Sequence, residues 1–182
     1  MPILPTERDP RLITVRRGGT LTDDDHRMLA GWAVACADHV LPLFERAAPD
    51  DDRPRQALEV ARGWIRGEVP MREAHRTAFV ANAAGKGRPD PARFAALAAG
   101  QAVAVAHVAA HDLGAAAYAI RAASAAAPAG EAEAARLAER DWQREQVPAE
   151  LLDLVLDDQR ARSAICWDVF DDQPGRARTV SP

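Results

Sequence analysis

The chain has few aromatic residues, one lysine and two cysteines. Aromatic side chains make up 5% of its 182 residues, and Lys86 is the sole lysine. Residues that favour strands are scarce. Alanine, the best helix former, occurs 41 times. The composition therefore predicts an all-α protein, and the length suits one domain.

Charge and cysteine usage exclude several further classes of protein. The formal net charge is −4, so there is no basic field for nucleic acid, and we expect no nucleic-acid partner. The mild acidity is compatible with a basic protein partner. Cys36 and Cys166 lack the spacing of a metal or redox motif. We expect both to be free thiols packed as small apolar groups.

No segment has the pattern of a secretory leader or a membrane span. Residues 1–19 carry charges and prolines and have no apolar core. Residues 92–121 are long enough to cross a bilayer, but this run is rich in alanine rather than leucine and contains Gln101, two histidines and Asp112. We therefore expect a cytoplasmic protein with no membrane partner.

The pattern along the chain predicts three regions. Residues 1–20 read as an irregular N-terminal arm, residues 21–172 as a single helical bundle, and residues 173–182 as a disordered tail. The bundle has about six helices. We expect them near residues 22–47, 50–66, 70–84, 90–127, 131–146 and 148–156.

The fourth predicted helix is the least usual, because it is long and nearly uncharged. Between Arg93 and Arg121 the only formally charged side chain is Asp112. The helical pattern starts at Asp90-Pro91 and continues to Ala127, which makes this the central helix of the bundle. A break near residues 112–114 is an alternative.

Three histidines leave two alternatives open. A spacing of four places His107 and His111 on one face of the fourth helix. They either pack in a close contact between helices or, together with His39, form a three-histidine site for Zn²⁺, Ni²⁺ or Fe²⁺. His39 falls within the apolar stripe of the first helix, which favours a core histidine. We expect no bound metal and no cofactor; the alternative is a metalloenzyme of the DinB-like kind.

The second predicted helix has one charged face. Arg55, Glu59, Arg62 and Arg66 lie together on the helical wheel, opposite an apolar side that includes Leu58 and Trp64. Such a face is either solvated surface with pairs along the helix or a surface that recognises a protein partner, since arginine is enriched at interfaces. Trp64 is predicted to be a core anchor.

No group of residues predicts catalysis. Ser124 and Ser163 lack the surroundings of an activated nucleophile, and there is no phosphate-binding glycine loop. We therefore expect a protein that is not an enzyme.

Four stretches of the chain resemble the Imm-5-like family of putative immunity proteins of bacteria. They are WAVACADHVLPLFE (32–45), DDRPRQALEVARGWIRGE (51–68), AHVAAHDLGAAAYAIRA (106–122) and ERDWQREQVP (139–148). The pattern DxRPRxAxExxRxW in the second stretch is the most specific part. The resemblance covers about residues 24–156.

This resemblance implies an all-helical protein, encoded beside a polymorphic toxin system, that neutralises a cognate toxin by binding it. It carries over no catalytic residue. The sequence thus predicts a toxin-binding immunity protein whose candidate interface is the charged face of the second helix. The two alternatives are the metalloenzyme with His39, His107 and His111, and a structural or regulatory helical module with another protein partner.

Overall fold

The computed structural model describes residues 4–172, which form a bundle of α-helices with no β-strand in that part of the chain. The predicted fold class is confirmed. These residues hold seven α-helices rather than about six, because the predicted fourth helix is two helices. Their bounds are α1 Asp23–Ala47, α2 Arg53–Ile65, α3 Met71–Ala84, α4 Asp90–Ala104, α5 Asp112–Ala126, α6 Ala132–Glu145 and α7 Leu152–Arg162.

The longest helix, α1, begins at the predicted cap. The side chain of Thr22 accepts a hydrogen bond from the Asp25 backbone N–H at 3.0 Å, and three aspartates occupy the first turn. The helix runs through Pro42 without interruption. Its inner face, which includes Trp32 and Phe44, is fully buried.

Alanine fills the centre of the bundle. The helices α4 and α5 pack against each other, and both pack against α1. Small residues let these helices approach closely, and at Gly100 an added Cβ would lie 2.1 Å from the Asn82 side-chain oxygen on α3. The buried alanines of α4 and α5 are Ala92, Ala95, Ala96, Ala98, Ala99, Ala102, Ala104, Ala115, Ala116, Ala117, Ala119 and Ala122.

The predicted continuous helix over residues 90–127 is wrong, and the break lies earlier than residues 112–114. The chain leaves α4 after Ala104, makes a 3₁₀ turn at Ala109–His111 and enters α5 at Asp112. Phe94 stacks near Tyr118, and the Gln101 side chain bonds the His111 side chain, which is the register of an antiparallel pair.

Tertiary contacts explain this reversal. An unbroken helix of that span would be about 57 Å long, well beyond the length of α1. Reversal lets both halves bury their alanine faces against α1. In addition, the ring Nε2 of His26 donates a hydrogen bond of 2.7 Å to the Val105 carbonyl, an acceptor that a continuous helix would use itself.

The N-terminal arm is folded onto the bundle over the residues that the structure describes. It makes 3₁₀ turns at Pro10–Leu12 and Val15–Arg17, and Thr14 forms an isolated bridge with Leu21. Leu12 and Leu21 are buried in the core. The predicted tail of residues 173–182 lies outside the described residues.

After α7 the chain closes one side of the bundle. A 3₁₀ turn at Ser163–Cys166 brings Cys166 into the core, where it is a free thiol, as is buried Cys36. The guanidinium of Arg121 lies 4.0 Å from the ring centre of Phe94 and 4.1 Å from that of Trp167. These cation–π contacts hold the segment after α7 against α4 and α5.

Candidate functional site

The charged face of α2 is exposed, and ion pairs tie much of it to α1. The opposite side of the helix is committed to the core through Ala57 and Leu58, both 0% exposed. The Nε of Arg55 donates to Glu45 Oε1 at 2.6 Å. Arg62 pairs with Asp38 of α1 and with Glu59, the latter at 2.7 Å. The fourth member of the face, Arg66, bonds Glu68 at 2.7 Å.

A groove of about 500 Å³ adjoins this face between α1 and α6. One wall is the half-buried ring of Trp142, and His39 stacks on it with ring centres 3.7 Å apart. His39 is also hydrogen-bonded through Nδ1 to Glu139 Oε2 at 2.8 Å. Arg55 lines the groove, so the charged face and the groove form one continuous surface. The lining residues are Ala35, Asp38, His39, Leu41, Pro42, Arg55 and Trp142.

The expectation that His39 is a core histidine is wrong. Its side chain is 45% exposed, because the face of α1 that is buried in the structure is centred away from the predicted stripe, so that His39 lies at its margin and α6 covers one side of the ring only. Sequence reasoning missed Trp142, since nothing in the pattern of α6 shows which residue of α1 it meets.

The opposite end of the bundle holds a cluster of histidines around the break between α4 and α5. The ring centres of His107 and His111 are 5.1 Å apart, and those of His75 and His107 are 4.2 Å apart. The two predicted residues do come together, but they do so in the connection rather than on one helical face. The third histidine is His75 of α3, which spacing along the chain could not identify.

The three-histidine site predicted as an alternative is not assembled. His39 and His26 are 13 residues apart on α1, about 20 Å along the axis, and His26 bonds the connection that carries His107. Within residues 4–172, no group of three or more histidine, cysteine, aspartate or glutamate side chains is arranged to hold a metal ion. The structure thus separates His39 from His107 and His111.

Comparison with known protein families matches residues 19–150 of the chain to the family described as Imm-5 like putative immunity protein. The match covers most of the chain. The chain belongs to this family. No curated protein matches the chain, and no solved structure matches it.

The part of the chain matched to the Imm-5-like family includes both the charged face and the groove. It runs from the end of the arm through α6, so Arg55, Arg62, His39 and Trp142 all lie inside it. The helix α7 lies outside it. Over the residues described, the structure contains no helix with the length and apolar character needed to span a membrane.

Burial lowers the pKa of His111 to about 4, and the charges of His107, Arg162 and Arg8 add to this effect. The folded state therefore favours the neutral ring, which donates from Nδ1 to Gln101 Oε1 at 2.7 Å. This pKa lies below the ordinary value of 6.5, so the corresponding stability is complete above pH 6.5. It is lost as the pH falls from 6.5 towards 4.

We expect His111→Asn to flatten this pH dependence. Between pH 7.5 and pH 5.5 the wild type should lose about 1 kcal/mol of unfolding free energy that the variant keeps. Urea unfolding of both proteins at the two pH values measures this. The packing cost of the substitution does not affect this comparison, because for each protein the unfolding free energy at one pH is subtracted from that of the same protein at the other pH. Equal pH slopes for the two proteins would contradict the expectation.

Proposed function

We propose that this member of the Imm-5-like family neutralises a cognate toxin protein by stoichiometric binding, without catalysis. Membership of the family supports an immunity role. The toxin partner, the cytoplasmic location and the interface described below are part of the proposal. The proposed interface rests on one observation: the charged face of α2 is continuous with the groove beside Trp142.

The chemistry of this surface suits recognition of a protein. Tryptophan and arginine dominate binding energy at protein interfaces, and here Trp142 and Arg55 line the same groove. The ion pairs of Arg55 and Arg62 with α1, and that of Arg66 with Glu68, hold the arginine side chains in place before binding, which lowers the entropic cost of ordering them. Their guanidinium groups still present donors to solvent, since the side chains of Arg55 and Arg66 are 55% exposed.

If the proposed interface is correct, substitutions of its arginines should weaken toxin binding without lowering the stability of the protein. Arg55→Ala removes one ion pair and Arg62→Ala removes two, all of them between partly or largely exposed side chains. Each such pair is worth about 1 kcal/mol or less, so the melting curve should move little. Binding of the toxin encoded beside this gene should weaken about tenfold or more, because interface arginines can act as hot spots. Trp142→Ala should weaken binding in the same way, but with some loss of stability, because its half-buried ring stacks on His39.

The test is survival of cells that express the toxin, together with calorimetric titration of purified proteins. Arg72→Ala and Arg76→Ala are matched controls, since both side chains are exposed on α3, away from the charged face. If both α2 variants protect as well as wild type, the interface lies elsewhere. If the wild-type chain neither binds nor protects against the neighbouring toxin, the proposed function itself is wrong.

A further inference from the structure

A second cavity, of about 490 Å³, lies at the histidine end of the bundle. It forms where the N-terminal arm, the first turn of α1, the turn between α2 and α3, and the connection between α4 and α5 meet. Its volume falls within the range of small-molecule sites. It does not include the charged face of α2 or the groove beside Trp142.

The cavity is strongly basic in a chain whose net charge is −4. Its lining carries four arginines and, within residues 4–172, a single carboxylate, that of Asp23. The four arginines are Arg8, Arg16, Arg17 and Arg27. A cluster of guanidinium groups with so little compensating charge disfavours a metal cation and favours an anion.

Two of these arginines are available to a ligand. Arg16 pairs with Asp23, and Arg27 pairs with Asp24 at 3.1 Å. Among the residues that the structure describes, the side chains of Arg8 and Arg17 make neither an ion pair nor a hydrogen bond to another side chain. A guanidinium group binds a carboxylate or a phosphate through two parallel hydrogen bonds.

The arm that carries these arginines is held in place. Leu12 and Leu21 anchor it in the core, and an added Cβ at Gly19 would lie 2.1 Å from the Ile13 carbonyl oxygen. The backbone therefore turns too tightly for any residue but glycine at that position. Arg17 thus projects from an ordered turn, which is the preorganisation that a binding site needs.

The lining of the cavity combines a flat apolar ring with polar groups that lack hydrogen-bond partners among the described residues. The half-buried ring of Trp64 lies edge-on to His26, with ring centres 4.9 Å apart. The Nδ1 atom of His107 is buried without a hydrogen-bond partner in the described part of the chain. Helix α3 also begins here, at Met71, and Pro70 at the N-cap position provides no side-chain cap for its first N–H groups.

The positive potential of the cavity contributes to the lowered pKa values of the histidines around it. Burial is the main cause of the lowered pKa of His26 and of His107, and the positive charge of Arg17 lowers both further. Arg8 acts in the same direction on His107 and His111. An anion in the cavity would offset this unfavourable field.

We propose that this cavity binds a small organic anion, with a phosphate or carboxylate group held by Arg8 and Arg17 and a flat body packed on Trp64. The site is independent of toxin binding, because it lies at the other end of α1 and uses none of the same residues. Phosphate and carboxylate share the chemistry that arginine recognises, so the experiment includes probes of both classes.

The test uses the full chain alone, without the toxin. Binding is measured by isothermal titration calorimetry and by the shift in melting temperature with adenosine monophosphate, pyrophosphate and citrate, at constant ionic strength. Adenosine is the uncharged control. We expect adenosine monophosphate or citrate to bind and to raise the melting temperature, whereas adenosine does neither. Binding of pyrophosphate alone would contradict an organic ligand. Adenosine monophosphate adds a flat base that can pack on Trp64.

Matched variants locate the site. The double variant Arg8→Gln/Arg17→Gln should bind the successful probe at least tenfold more weakly. The control Arg46→Gln/Arg76→Gln removes the same charge from exposed positions outside the cavity and should change the affinity less than twofold. Circular dichroism verifies that both double variants remain folded.

Two other results would overturn this proposal. In the first, no probe binds more tightly than chloride at equal ionic strength. In the second, the two double variants lose affinity equally, which would mean that the anion is attracted by overall charge alone. Neither result bears on toxin neutralisation, because the toxin is absent from the experiment.

Discussion

Arg162→Met is expected to lower the free energy of unfolding by about 3–5 kcal/mol at neutral pH, because it leaves two carboxylates buried without their counter-charge. The side chain of Arg162 is 3% exposed, that of Asp112 2% and that of Asp158 7%. The Nε of Arg162 donates to Asp158 Oδ1 at 2.6 Å, and Nη1 donates to the Ala110 carbonyl at 2.7 Å. Nη2 reaches Asp112 Oδ1 at 3.4 Å.

The loss should grow as the pH rises. Burial raises the pKa of Asp112 to about 7 even with Arg162 present, and the nearby charge of Asp158 adds to the rise. Without the guanidinium this pKa rises further above its unfolded value. A raised carboxyl pKa contributes stability that is present at low pH and lost as the pH increases. Arg162→Met should therefore cost less at pH 5 than at pH 8.

Urea unfolding at both pH values measures this effect, and Arg160→Met is the matched control. Arg160 lies on the same helix, but its side chain is 69% exposed and pairs with Asp157 at the surface. Its loss should cost less than about 1 kcal/mol. Equal stability of Arg162→Met and Arg160→Met would contradict the prediction, because the buried ion-pair network would then stabilise the protein no more than the surface pair does.

Trp32→Ala is expected to destabilise the protein by about 3–5 kcal/mol, because it removes a large buried side chain and leaves a cavity in the core. Trp32 is 2% exposed on α1. Its ring Nε1 donates to the Gln143 backbone carbonyl of α6 at 2.9 Å. The core is rich in alanine, which has little side chain with which to fill a cavity, so relaxation around the lost ring should be limited.

Trp64→Ala provides the comparison, measured by the same urea unfolding. Trp64 is half-buried and lines the basic cavity, so it is not the fully buried core anchor that the apolar pattern of α2 predicts. Its truncation should cost clearly less than that of Trp32. A loss for Trp32→Ala no larger than that for Trp64→Ala would show that the alanine-rich core collapses around a missing side chain.

The two proposed surfaces lie at separate ends of the bundle. The groove contains His39 and the basic cavity contains His26, and these two residues are about 20 Å apart along α1. Variants of one surface should therefore leave the other intact. Since additivity holds for sites that share no partner, the effects of Arg55→Ala and of Arg8→Gln/Arg17→Gln can be measured independently.

The sequence alone determined the fold class and most helix bounds, because these depend on local chemistry. Alanine content favours helix, Thr22 and the aspartates that follow it start α1, and Gly85-Lys86-Gly87 ends α3 close to the predicted position. The charged face of α2 was also readable, since a helical wheel shows which residues share one side of a helix.

Only the tertiary structure decided where the central alanine run breaks and what its polar residues contact. His26 bonds the Val105 carbonyl, and Arg162 lies beside Asp112, in each case across more than 40 residues of sequence. The grouping of His75 with His107 arises in the same way. Periodicity along one helix carries no information about such partners. Packing of the alanine faces on α1 brings these residues together and thereby creates the basic cavity.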